Sequence, residues 1–111
     1  MEVLTIDKIN RLKPNYKNKG YDVPKWAVFS EVLLREGWSV SLHRSKSTVS
    51  KYLFIKKGKL KFKIRFSNHK ANFYKEKHCD CNYYVGVGNK GVITTEELLT
   101  RLFLKDKEVN R

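Results

Sequence analysis

The sequence predicts an α+β fold, an antiparallel three- to four-stranded sheet with helices packed on one face. Three observations predict it. Residues 59–66 read Lys-Leu-Lys-Phe-Lys-Ile-Arg-Phe, a strict alternation of cation and hydrophobe. As a strand, this run sends Leu60, Phe62, Ile64 and Phe66 to one face and Lys59, Lys61, Lys63 and Arg65 to the other. Two further runs that suit half-buried strands precede it, and apolar residues at helical spacing lie before and after all three.

The elements follow in order. Leu4, Ile6, Ile9 and Leu12 give residues 4–13 a short amphipathic helix that Thr5 caps. Lys13 to Pro24 is polar, contains Pro14 and Gly20, and reads as a linker or arm. Pro24 then suits the first turn of a helix, where a missing N–H costs nothing. Trp26, Phe29, Val32 and Leu33 fall on one side of that helix, and Gly37 stops it. Trp38 to His43 alternates as a strand, with Trp38, Val40 and Leu42 inward. Arg44 to Ser50 is a Ser/Thr-rich turn, and Lys51 to Lys56 is the second strand. Lys57-Gly58 reads as a two-residue hairpin loop, which sets Phe54 opposite Lys61 and Tyr52 opposite Lys63. Ser67 to Asp80 is a polar loop, and Tyr83 to Val87 a short fourth strand. Thr94 and Glu97 form a capping box for a last helix, with Leu98, Leu99, Leu102 and Phe103 toward the core. The charged tail from Lys105 is expected to fray. The expected organisation is an N-terminal helix or arm and linker over 1–23, one domain over 24–104 and a tail over 105–111.

The chain has 111 residues, 41% of them hydrophobic, enough for one modest core. No apolar run approaches the roughly 18 residues that span a bilayer, so no membrane partner is expected. The first residues lack the layout of a signal peptide, which implies the cytoplasm and reduced thiols at Cys79 and Cys81. The net charge is +13, and residues 37–77 concentrate it, with twelve Lys or Arg against one acid, Glu76. A field of this sign captures polyanions. The plainer alternative is a basic surface that serves only solubility.

On the outer face of the sheet, Tyr52 and Phe54 interleave with the cations. Lysines about 7 Å apart along a strand approach the phosphate spacing of a nucleic-acid strand. Aromatic rings among cations suit single-stranded RNA, because bases stack while phosphates pair. The candidate binding set is Lys51, Tyr52, Phe54, Lys59, Lys61, Lys63, Arg65, Ser67, Asn68, His69 and Lys70. Coverage of Tyr52 and Phe54 by another helix or by a dimer partner is the competing reading.

Other chemistry has less support. Gly86 to Gly91 matches Gly-x-Gly-x-x-Gly, but the helix opens too late for a dinucleotide site, so no cofactor is expected. His78-Cys79-Asp80-Cys81 is a single cluster, whereas structural zinc takes two separated pairs, so no metal is expected. Paired carboxylates and a Ser–His–Asp grouping are not apparent. The one catalytic option is metal-independent RNA cleavage, with His69 moving the 2′-OH proton beside Arg65 and Lys70, and His43 ending a strand of the same sheet. The plainer reading of His69 is a loop histidine bonded to its neighbours.

The stretch Lys63-Ile64-Arg65-Phe66-Ser67-Asn68-His69-Lys70-Ala71 carries a resemblance, together with Gly37-Trp38, the Ser50-x-Tyr52 step and the closing amphipathic helix. From Gly37 to Leu104 the chain resembles the C-terminal module of a broad-spectrum type II anti-CRISPR family from phages of Gram-positive bacteria. That family carries a basic-aliphatic strand ending in Arg-Leu-Ser-Asn-His and inhibits Cas9. The resemblance implies a phage or mobile-element protein acting in a bacterial host on guide RNA or the Cas9–guide RNA complex. Arg65, Ser67, Asn68 and His69 are the positions that it carries over. The family's long, basic N-terminal arm is replaced here by about 20 residues with a possible helix. The order of elements also resembles small toxin endoribonucleases with a double-stranded-RNA-binding-domain-like fold. Those carry a catalytic histidine after Gly-Ser, and Val49-Ser50-Lys51-Tyr52 has none.

Overall fold

Thr5 marks the first boundary in the chain, with its hydroxyl accepting from the Lys8 N–H at 3.2 Å. A computed structural model of the protein describes residues 1–44, 51–67, 81–85 and 92–110. Along them run β1 (Glu2–Val3), α1 (Ile6–Asn18), α2 (Lys25–Arg35), β2 (Ser39–Arg44), β3 (Lys51–Lys57), β4 (Leu60–Ser67), β5 (Cys81–Val85), β6 (Val92–Ile93) and α3 (Thr95–Val109). The strands form one antiparallel sheet in the order β1-β2-β3-β4-β5-β6. The expected α+β class and antiparallel sheet are therefore present. The two-residue strands β1 and β6 extend the sheet at its edges beyond the expected three to four strands.

Alternation decides what the sheet buries. Val40, Leu42, Leu53, Ile55, Ile64 and Phe66 are all buried, and they share one core with Ile9 of α1, Trp26, Phe29 and Leu33 of α2, and Leu98 and Leu102 of α3. Phe29 meets Phe66 edge-on at 5.4 Å, a geometry that adds to the gain from burial alone. All three helices thus use the same sheet face.

Three local expectations need correction. Residues 13–18, expected as part of a linker, are helical, because α1 continues through Pro14 to Asn18. A proline inside a helix removes one hydrogen bond and crowds the preceding turn. Here Ile9 and Leu12 hold α1 on the core. Its end comes at Gly20, where φ is +74° and the Tyr21 and Gly20 N–H groups close back on the Tyr16 and Lys17 carbonyls at 2.8 and 3.0 Å. The N-terminal residues also join the main core, since Leu4 is buried and its N–H donates to the Val40 carbonyl at 2.9 Å. Lys13 forms an ion pair with Glu31 of α2.

The hairpin loop is Gly58-Lys59, one residue later than expected. Lys57 opposes Leu60, so Phe54 faces Lys63 and Tyr52 faces Arg65. Gly58 takes φ +57°, and no residue other than glycine has a positive φ among the described residues. A glycine at the first central position alone suits a type II′ turn, whose twist matches the strands. The slip moves the pairing by two residues, which keeps every side chain on its expected face.

The third correction concerns the tail, which is helical to Val109 rather than frayed from Lys105. Asp106 accepts from the Lys57 ammonium at 2.7 Å, and Asn110 caps the same hairpin. Thr94 caps the other end of α3 as expected, accepting from the Glu97 N–H at 3.1 Å. The Glu97 carboxylate pairs with Arg101.

Candidate nucleic-acid interface

The face opposite the helices is a grid whose rows are fixed by strand register. One row runs His43, Tyr52, Arg65 across β2, β3 and β4; the next runs Ser41, Phe54, Lys63; the third runs Ser39, Lys56, Lys61. β5 continues the first two rows, with Tyr83 opposite Arg65 and Val85 opposite Lys63. Read along the strands instead, the columns differ in chemistry. β2 offers Ser39, Ser41 and His43. β3 offers Tyr52 and Phe54, followed by Lys56. β4 offers Lys61, Lys63 and Arg65.

Lys61 and Lys63 are exposed, as is Lys56, which the sequence reading left out of the candidate set. The ammonium of Lys63 lies 5.2 Å from the centre of the Tyr52 ring and 5.7 Å from that of Phe54. Both rings are half-buried, and a single cation sits over the pair. His43 leans on the other side of Tyr52, with ring centres 6.1 Å apart. Arg65 is half-buried and already engaged within the protein, so the most accessible charge on β4 comes from the two lysines.

Electrostatically this face is one-sided. No described strand position on it carries an acid, and Lys56 lies directly opposite Lys61. Like charges facing each other across two strands destabilise a sheet. The described acids that form pairs lie elsewhere: Glu2 with Lys8, Glu31 with Lys13 and Arg35, Glu97 with Arg101, and Asp106 with Lys57. Hydrogen bonding from Lys13 lowers the Glu31 carboxyl below its usual range, and that from Lys57 does the same for Asp106.

Lys51 does not belong to this face. It shares its parity with Leu53 and Ile55, is only 7% exposed, and already takes part in an interaction within the protein. Lys59 is exposed but sits in the hairpin loop, at the end of the grid. Ser67 ends β4 opposite Cys81. Asn68, His69 and Lys70 lie outside the described residues, as do His78 to Asp80 and Gly86 to Gly91. Among the described residues there is no group of three potential metal ligands, and no helix is long and apolar enough to cross a membrane.

The sequence reading missed Ser39, Ser41, His43 and Lys56 as members of the site. The signal that finds them is the same period of two that located the lysines, applied to every strand of the sheet. No protein-family model, no curated protein and no solved structure matches this chain.

Proposed function

We propose that this protein binds RNA, alone or within a ribonucleoprotein, through the open face of its sheet. One observation carries the reading: aromatic rings and lysines that form no ion pair with a described residue share a face whose described strand positions hold no acid. Keeping Lys56 opposite Lys61 works against folding, and a polyanion lying on the face reverses the sign of that cost. Phosphates pair with Lys56, Lys61 and Lys63, while bases take the faces of Tyr52 and Phe54. The biological use in this proposal is inhibition of a Cas9–guide RNA complex in the bacterial cytoplasm. Its support is the resemblance of residues 37–104 to the anti-CRISPR module.

Charge reversal at Lys61→Glu plus Lys63→Glu tests the binding site. Single-stranded RNA affinity should fall, and the log–log salt slope should flatten by about 1.4, at roughly 0.7 per lost phosphate contact. Unchanged affinity and slope would remove the site. In a Cas9 cleavage assay the unaltered protein should protect target DNA and the double variant should not. Cleavage that proceeds equally with and without the unaltered protein would reject the Cas9 assignment.

A further inference from the structure

We infer that the open face holds a single strand, with two neighbouring bases on Tyr52 and Phe54, and that Ser41 and His43 read their edges. The inference rests on the RNA-binding reading above and adds the substrate form and the residues that choose among bases. It follows from the order of the columns. Cations stand on β4, rings on β3, and small polar groups on β2. Adjacent strands are about 4.8 Å apart, so the β4 and β2 columns are separated by about 10 Å. That separation suits one nucleotide laid across the sheet, its phosphate at β4, its base on β3 and its base edge over β2.

Spacing along the strands agrees. Tyr52 and Phe54 are two residues apart on one face, about 7 Å, as are Arg65 and Lys63, the β4 cations directly opposite them. Each ring therefore has one cation in its own row. A duplex does not fit this surface chemistry, because its bases are stacked on each other and expose no face to a ring. An unpaired strand does.

The ammonium of Lys63 now occupies the space over both rings. A stacking base must displace it, and the displaced cation has a phosphate of the same nucleotide to pair with. Ser41 and His43 complete the row positions beside Phe54 and Tyr52. A hydroxyl both donates and accepts, and a neutral imidazole carries one donor and one acceptor, so both can read base edges. Neither side chain makes a hydrogen bond to another described residue.

The test measures binding of oligo(U), oligo(C) and oligo(A) of about ten nucleotides, within the usual length for a single-strand groove, and of an RNA duplex of matching length. Single strands should bind at least roughly ten-fold more tightly than duplex. Tyr52→Leu and Phe54→Leu keep apolar cover and remove the ring. Each should weaken single-strand binding by roughly ten-fold without changing the salt slope. Ser41→Ala plus His43→Ala should narrow the spread of affinities among the three oligomers, again at constant slope. Duplex binding as tight as single-strand binding, or an unaltered spread in the Ser41/His43 variant, would overturn the inference and leave RNA binding standing. No binding to any of the four probes would overturn the RNA reading itself.

Discussion

Asn110 closes over Gly58. Its Nδ2 donates to the Lys57 carbonyl at 2.9 Å, and its Oδ1 accepts from the Lys59 N–H at 3.2 Å, so one carboxamide joins both sides of the β3–β4 loop. A Cβ on Gly58 would fall 2.2 Å from that Oδ1. Nδ2 also donates to the Asp106 carboxylate at 3.1 Å, so Asn110→Ala should cost about 1–3 kcal/mol by loss of three hydrogen bonds. Gly58→Ala should cost at least as much, from the positive φ and the collision together. Because Asn110→Ala also makes room for the new methyl group, the double variant should lose less than the two single losses combined. Urea unfolding of the three variants checks this. Simple additivity would show that the collision is absent.

The ion pair beside that cap gives a pH dependence with a definite sign. Hydrogen bonds from Lys57 and then Asn110 hold the Asp106 carboxyl below its ordinary value of 3.8. A carboxyl whose folded value is depressed adds stability above its unfolded value. That contribution is lost as pH falls through the lowered folded value. Urea midpoints measured downward from pH 5 should therefore drop less steeply for Asp106→Asn than for the unaltered protein. Glu31, lowered from 4.5 chiefly by Lys13, should contribute in the same direction. Equal steepness in Asp106→Asn would mean that the pair leaves acid stability untouched.

Much of the fold follows from period and punctuation alone. Alternation in residues 59–66 separates the core side chains from the cations without any tertiary information, and Gly37 and Thr94 mark helix ends by local bonding. Lys51 follows the same rule, since its parity with Leu53 and Ile55 places it on the helix side and not among the outer cations. The hairpin slip reflects a different gap. Lys57-Gly58 and Gly58-Lys59 both provide a glycine, but the first places it second in the loop, where a type I′ turn would also need Lys57 at a positive φ. Asp106 and Asn110 hold the second in place. Those partners lie about 50 residues away in sequence, beyond the reach of local pattern. The same contacts order the tail that charge alone marks for fraying. In the candidate site, the lysines and rings are legible one strand at a time. The period of two also places Ser41 and His43 on the outer face of their strand, and register sets them beside Phe54 and Tyr52.

Pro14 offers a stabilising substitution. It sits exposed in the interior of α1, four residues before the helix ends at Asn18. Pro14→Ala restores an N–H for the Asn10 carbonyl and relieves crowding with the previous turn. The intrinsic difference between the two residues in a helix interior is about 3 kcal/mol, an upper bound here. A gain of about 1 kcal/mol is expected, read as a higher urea midpoint and Tm. A loss would mean that Pro14 itself is needed to seat Ile9 and Leu12 on the core.

The Lys56–Lys61 pair separates binding from stability in one substitution. The two face each other across β3 and β4, with no acid at any described strand position on that face. Lys61→Glu turns the repulsion into an attraction, and opposite-charge pairs at such positions contribute roughly 0.2–1 kcal/mol. The variant should therefore unfold at a higher urea concentration in dilute buffer. At about 1 M salt, where screening acts within about 3 Å, most of that gain should vanish. The same variant should bind single-stranded RNA less tightly, with a salt slope smaller by about 0.7 or more. Opposite signs for stability and affinity are the mark of a surface kept basic for a ligand at a cost to the fold. If Lys61→Glu lowers both in dilute buffer, the lysines are not repelling each other, and the charge of this face needs another explanation.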